Sequence, residues 1–215
     1  MNDISAVTIA IILANVLMSY KGFSDTNFFY QYCFKIGDIK RGENIRFVSS
    51  AFLHVDTTHL FVNMLTLYFF AEPIIMMLGT TGLLVVYFGS LILGNLLSYY
   101  FHKDDYYYTA VGASGAVVGV LYATILLQPD MMLGLFFIIP IPAYVFGIGY
   151  LLYSIWGMKN RKDNIGHDAH FGGAMGGYFI TLFLAPWVLT DHLLMVVLLA
   201  IPIILLFILK KLGKI

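Results

Sequence analysis

The sequence predicts an all-α fold, a polytopic bundle of membrane-spanning helices. Of the 215 residues, 60% are hydrophobic and 11% are charged, whereas soluble domains are about 45–50% apolar and about 25% charged. The mean hydropathy is +0.85. The apolar residues also fall in long runs, each close to the roughly 20 residues that a helix needs to cross a hydrocarbon core about 30 Å thick. Open sheet edges cannot face lipid, so these runs are assigned to helices.

Seven such runs occur, and no internal repeat and no linker long enough to carry an independent fold is evident between them. The sequence therefore predicts a single membrane domain over residues 1–215. We expect no cleavable signal peptide, because no basic segment precedes the first run. The predicted spans lie at about 4–20, 59–78, 82–101, 111–128, 134–157, 167–186 and 192–209.

The connection between the first two spans, residues 21–58, is long and rich in aromatic residues. Aromatic side chains favour the membrane interface, so we expect this first loop to lie against the bundle, partly in the headgroup layer. It contains Cys33, the single cysteine of the chain, which excludes an intrachain disulfide. A packed thiol is the expected role for Cys33, since no second cysteine or placed histidine accompanies it.

Charge is distributed unequally between the two ends of the predicted bundle. All twelve Lys and Arg residues fall in the first loop, the third and fifth loops and the C-terminus, while the opposite end carries Asp3, Asp130 and Asp191. The positive-inside rule would place the basic end in the cytoplasm. The formal net charge is zero, so nothing indicates a nucleic-acid partner.

Several polar side chains lie within the apolar runs, where they cost several kcal/mol unless they are paired or face a cavity. His59 and Asn63 are four residues apart and therefore share a helix face. Ser114 lies at the start of the fourth span, and His170 lies near the start of the sixth. Each of these residues is a candidate for function.

Glycines at a spacing of four accompany two of these polar residues. Gly115 and Gly119 follow Ser114, and Gly173 and Gly177 follow His170. Small residues at this spacing let helix backbones approach closely in lipid. Helix packing alone would explain them, but such packing would also bring Ser114 and His170 together.

A serine hydroxyl becomes a nucleophile when a base lies within hydrogen-bond reach. His170 could supply that base. Donors directed at the developing oxyanion provide the second requirement, and His59, the Asn63 amide and the Ser114 backbone N–H could supply them. The sequence therefore predicts Ser114, His170, His59 and Asn63 as catalytic residues, with no cofactor and no metal.

The spacing of these residues resembles the rhomboid family of intramembrane serine proteases. The resemblance covers roughly residues 40–180 and extends to an aromatic–Arg element, represented here by Arg46 with Phe47 after it. A rhomboid core would occupy about 4–186, and the seventh span, about 192–209, would be an addition that some members have. The matching motifs are His54, His59 and Asn63 in span two, Gly112, Ser114 and Gly115 at span four, and Ala169, His170, Gly173 and Gly177 in span six.

The resemblance implies a Ser–His dyad that cleaves transmembrane proteins near the membrane surface, at small residues followed by helix-destabilising ones. His54 and Glu72 would have structural roles, with His54 tying span two to the first loop. Since the family uses no carboxylate, Asp168 and its neighbour His167 are not expected to act in catalysis. The resemblance also implies a multi-pass protein of the cell membrane whose active site faces the extracytoplasmic side, contrary to the positive-inside rule.

One position departs from the family pattern. Many members carry an aromatic residue four positions after the serine, packed against the catalytic histidine, and here that position is Val118. Tyr122, one turn later, is not expected to replace it. Span five is a candidate for lateral substrate entry, because Pro140 and Pro142 near its start weaken a helix, but an ordinary irregular span would have the same sequence.

Other functions remain open at the level of sequence. A catalytically silent relative could bind membrane clients, although such relatives have usually lost the serine or the histidine. A small transporter is less consistent with the sequence, because internal symmetry and polar residues near the midplane would be expected. A metalloprotease is disfavoured, because no His-Glu-x-x-His motif is present. Oligomeric state is not predicted.

Overall fold

The computed structural model describes residues 4–135, 138–160 and 165–215. Asp3 and most of the turn predicted after span five, residues 161–164, lie outside the described residues. The helices are α1 (Ala6–Ser24), α2 (Thr26–Tyr32), α3 (Ile36–Lys40), α4 (Arg46–Ser49), α5 (Thr57–His102), α6 (Ser114–Leu127), α7 (Ala143–Asn160), α8 (His167–Leu184), α9 (Val188–Asp191) and α10 (Leu193–Lys211), with a 3-10 turn at Ser50–Phe52. The strands are β1 (Phe34–Lys35), β2 (Thr109–Ala110), β3 (Met132–Leu135) and β4 (Ile139–Pro142).

The α5 segment contains two of the predicted spans. At Gly79 the backbone leaves the helical region, with φ at +71° and ψ at 175°, a conformation that glycine adopts without steric cost. The chain turns back at this point. Asn95 in the returning half donates to the carbonyl of Phe47 at 2.7 Å, so the end of α5 lies beside the residues that precede its beginning.

Helix α6 lies at the centre of the bundle. Every residue from Gly115 to Leu127 is buried, because α5 and α8 pack around it. With 14 residues, α6 is about 21 Å long at about 1.5 Å per residue, shorter than a hydrocarbon core of about 30 Å. At least one end of α6 therefore has to lie below a membrane surface.

The backbones of α6 and α8 are in direct contact. A Cβ on Gly173 would overlap the carbonyl oxygen of Gly115, and a Cβ on Gly177 would overlap that of Gly119. Only residues without side chains fit at these points. The glycines singled out in the sequence thus form the interface between spans four and six, as their spacing predicts.

The first loop packs against the bundle as an ordered structure. β1 pairs antiparallel with β2, with Phe34 opposite Ala110. The buried guanidinium of Arg46 donates to the carbonyls of Tyr30 and Cys33 at 2.9 and 2.8 Å. Arg46 also forms ion pairs with two acidic residues of the same loop, Asp38 at 3.0 Å and Glu43 at 2.7 Å.

Cys33 is fully buried within this loop. Burial raises the pKa of its thiol above the ordinary value, which disfavours the thiolate that a nucleophilic cysteine needs. The environment of Cys33 is therefore that of a packed thiol.

The prediction that a helix begins near residue 134 is wrong. β3 and β4 form an antiparallel hairpin, and α7 begins only at Ala143. Pro140 and Pro142 account for the difference, because a proline inside a helix loses a backbone hydrogen bond and clashes with the preceding turn.

The seventh predicted span, α10, packs against both α7 and α8. Leu199 is fully buried and lies beside Gly147 of α7, and the Tyr178 hydroxyl of α8 donates to the carbonyl of Val196 at 2.9 Å. By length and composition, three helices among the described residues could each cross a membrane: α1, the reversing α5 and α10. The chain is thus a multi-pass membrane protein.

The α6–α8 contact predicts that Gly173→Ala is strongly destabilising. The added methyl would meet a backbone carbonyl that cannot move without separating the two helices, so we expect a loss of at least about 2 kcal/mol. The control is Gly149→Ala in α7, where a Cβ would meet no atom within 4 Å and alanine favours the helix by about 0.5–1 kcal/mol. Thermal unfolding in detergent measures both, and equal melting temperatures for the two variants would contradict the proposed contact.

Candidate active site

Ser114 begins α6 at the end of a tightly held segment. Gly112 has φ at +129°, and its N–H donates to the carbonyl of Ser50 at 3.0 Å. A Cβ on Gly112 would lie 2.6 Å from Cε1 of His59. Glycine is therefore required at this position both by its conformation and by the close approach of the His59 ring.

The structure brings Ser114 and His170 together. Ser114 Oγ lies 2.6 Å from His170 Nε2, which is within hydrogen-bond distance. His170 is 8% exposed, and Ser114 is half-buried at the mouth of α6. A hydroxyl and an imidazole in this arrangement can transfer a proton, provided that Nε2 carries a lone pair and not a hydrogen.

Two further candidate side chains belong to α5, and the ring of one of them, His59, lies beside Gly112. The Asp56 carboxylate caps the helix by accepting from the His59 N–H at 2.7 Å, and the His59 ring packs against Gly112. Asn63 lies one turn further along the helix and is 5% exposed. Its Nδ2 has no hydrogen-bond partner among the described residues. The Asn63 amide therefore keeps a donor that no described residue uses.

His54 holds the serine segment, residues 112–113, which leads into α6. Its Nε2 accepts from the Ala113 N–H at 3.4 Å, its Nδ1 lies 2.8 Å from Ser19 Oγ, and Ser19 in turn donates to the carbonyl of Phe52. Burial lowers the pKa of His54 to about 3, so the ring is neutral. These contacts connect the serine segment to α1 and to the end of the first loop. The sequence predicted only that His54 connects span two to the first loop.

Tyr150 is a residue of the site that the sequence did not predict. This α7 residue places its hydroxyl 2.7 Å from His170 Nδ1, and the two rings stack with centroids 5.9 Å apart at 30°. Val118, where the sequence lacks an aromatic residue, is buried in the core, and Tyr122 instead donates to the carbonyl of Gly147. The absence of an aromatic residue at position 118 indicated that another side chain contacts His170, but it did not indicate which tyrosine does so.

Three other polar residues named in the sequence analysis lie away from the serine. Asp168 pairs with His102, whose Nε2 is 3.5 Å away, and so faces α5. His167 packs edge-on against Tyr153 of α7. At the opposite end, Glu72 accepts from the backbone N–H of Ser5 at 2.8 Å and holds the beginning of α1.

Comparison with known proteins gives consistent matches. The family model for the rhomboid domain matches residues 41–187. RHOMBOID-like protein 12, mitochondrial, of Arabidopsis thaliana is 29% identical over 185 residues, covering 78% of this chain and 55% of that protein. Rhomboid protein 1, mitochondrial, of Saccharomyces cerevisiae is 33% identical over 62% of this chain and 40% of its own length. The Bacillus subtilis rhomboid YdcA is 32% identical over 66% of this chain and 68% of its own length. The chain thus spans about half the length of the mitochondrial relatives.

Proposed function

The chain belongs to the rhomboid family, and we propose that it is an intramembrane serine endopeptidase that cleaves transmembrane proteins near the membrane surface. One observation carries the proposal: Ser114 Oγ lies 2.6 Å from His170 Nε2. The unpartnered amide of Asn63 supports it, because a hydrolase that forms a tetrahedral intermediate needs a donor of that kind.

Acylation begins when Ser114 Oγ attacks the scissile carbonyl carbon and its proton passes to His170 Nε2. The carbonyl oxygen then carries the negative charge. The Ser114 backbone N–H, His59 and the Asn63 amide donate to this oxyanion. The N–H groups of the first turn of a helix have no intrahelical partner, so the Ser114 N–H is available for this purpose.

The tetrahedral intermediate collapses when His170 returns its proton to the leaving amine nitrogen and the C–N bond breaks. The product amine departs, and the other half of the substrate remains as an ester on Ser114. Water then gives a proton to His170 and attacks the ester carbonyl, and the reverse proton transfer releases the acid and restores Ser114. No cofactor enters either half of the cycle.

The length of α6 supports a substrate that lies in the membrane. Because α6 is too short to cross a hydrocarbon core, at least one of its ends lies below a membrane surface, and we place Ser114 at that end. A transmembrane helix that unwinds near its end could present a peptide bond there.

The mechanism predicts that Ser114→Ala abolishes cleavage of a transmembrane substrate in proteoliposomes. His170→Ala should lower kcat by at least about 10²–10⁴-fold, the usual contribution of a general base. The matched control is Ser90→Ala, because the buried Ser90 hydroxyl has no hydrogen-bond partner among the described residues. This variant should keep its activity.

A serine-directed fluorophosphonate probe extends this experiment. It should label the wild-type protein and Ser90→Ala, but not Ser114→Ala. Full activity of either dyad variant would refute the mechanism. Absence of both cleavage and labelling in the folded wild-type protein would favour the alternative in which the protein binds membrane clients without cleaving them.

The oxyanion assignment predicts a selective effect of Asn63→Asp. A carboxylate of the same shape cannot donate and repels the developing charge, so kcat should fall by about 10²–10³-fold. The variant should still fold. Thr66→Val is the control on the same helix, since the Thr66 hydroxyl donates to the carbonyl of Val62 in its own helix, at 2.8 Å. If Asn63→Asp and Thr66→Val show equal kcat values, Asn63 has no role in the oxyanion site.

We further propose that the Ser114 end of the bundle faces the extracytoplasmic side of the cell membrane. The family resemblance supports this orientation, and long loops translocate largely regardless of their charge. The ten Lys and Arg residues in the described part of the chain lie at the same end as Ser114.

Cysteine labelling with a membrane-impermeant reagent tests the orientation in intact cells. Single cysteines replace Lys103 at the Ser114 end and Asp130 at the opposite end, both exposed, in a Cys33→Ser background. We expect labelling at position 103 and none at 130 until the membrane is permeabilised. The reverse pattern would place the Ser114 end in the cytoplasm and overturn the assignment.

A further inference from the structure

We propose that Tyr150 is a positioning residue for the dyad, whose hydroxyl accepts a hydrogen bond from Nδ1–H of His170 and thereby holds the imidazole in its working tautomer. This inference rests on the proposed function. It starts from the 2.7 Å separation between Tyr150 Oη and His170 Nδ1. Because Nε2 of the same ring contacts Ser114 Oγ, the three side chains form a continuous hydrogen-bonded series.

The proposed reaction requires that the hydrogen bonds of this series run in one direction, with Ser114 donating to His170 and His170 donating to Tyr150. To accept the serine proton, His170 must present a lone pair at Nε2, so its hydrogen must reside on Nδ1. In the other tautomer, Tyr150 would donate to Nδ1, Nε2–H would donate to Ser114 Oγ, and the serine proton would have no acceptor. A hydroxyl that accepts from Nδ1–H therefore favours the reactive arrangement.

The same contact also serves the charged intermediate. Once the serine proton has moved to Nε2, both ring nitrogens of His170 carry hydrogens, and Nδ1–H continues to donate to Tyr150 Oη. The tyrosine keeps its own proton throughout, so no proton passes beyond His170. Since a phenol is neutral, the stabilisation is smaller than that from a carboxylate partner.

The position of Tyr150 is fixed by contacts on both sides of it in α7. On one side, the Gly147 carbonyl accepts from the Tyr122 hydroxyl of α6. On the other, Gly157 lies so close to the His167 ring of α8 that a Cβ there would overlap it. These two contacts set α7 against α6 and α8. The ring of Tyr150 consequently stacks on His170 from a different helix than the one that carries Val118.

Nitrogen-15 NMR of histidine-labelled protein in detergent micelles tests the proposal directly. The signals of His170 are assigned by comparison with a His170→Gln variant. We expect the Nδ1–H tautomer in the wild-type protein and a mixture of tautomers in Tyr150→Phe, which keeps the stacked ring but lacks the hydroxyl. Tyr144→Phe is the control, because the half-buried Tyr144 of α7 makes no side-chain hydrogen bond among the described residues.

The reactivity of Ser114 provides the second readout. The rate of fluorophosphonate labelling should fall by about 10- to 100-fold in Tyr150→Phe, less than the loss of a carboxylate partner causes, and should not change in Tyr144→Phe. An Nε2–H tautomer in the wild-type protein, an unchanged tautomer in Tyr150→Phe, an unchanged labelling rate, or an equal loss in Tyr144→Phe overturns the proposal. The NMR readout needs no substrate, so it decides the role of Tyr150 even if the wild-type protein shows no hydrolytic activity.

Discussion

The direct contact between the backbones of α6 and α8 is the constraint on which the site depends. Lipid gives two helices no hydrophobic reason to associate, so close packing of small residues has to hold them together. Ser114 immediately precedes the first glycine of one contact face, and His170 lies three residues before the first glycine of the other. Once Gly115 meets Gly173, the serine and the histidine have little freedom to lie anywhere but within hydrogen-bond reach.

The segment that delivers the serine depends on elements that are far apart in sequence. β2, which leads into it, is paired with β1 of the first loop. Gly112 is bound to Ser50 at the end of that loop, and Ala113 is bound to His54 just before α5. Each bond satisfies a backbone group that would otherwise be buried without a partner. The first loop therefore has a structural part in the site, although none of the four predicted catalytic residues belongs to it.

Much of the bundle could be predicted from sequence because lipid imposes simple rules on length and polarity. The apolar runs, the break near Gly79 and the glycine faces all follow from those rules. The start of α7 could not be predicted in the same way, since hydropathy alone does not distinguish an apolar hairpin from an apolar helix and the effect of Pro140 and Pro142 was underestimated. Tyr150 was missed for a related reason: its partner depends on the position of α7 relative to α8, which is a tertiary property that no local pattern contains.

Because α6 is buried, the depth of the candidate site does not depend on the thickness of the bilayer. Helices that face lipid have to tilt, or to deform the bilayer, when their apolar length differs from that of the surrounding membrane. In this chain α1, α5 and α10 carry exposed apolar side chains such as Leu17, Phe61 and Leu194, so they bear that mismatch. From Gly115 to Leu127 every residue of α6 is buried within the protein, so protein contacts, and not the surrounding lipid, set the depth of Ser114.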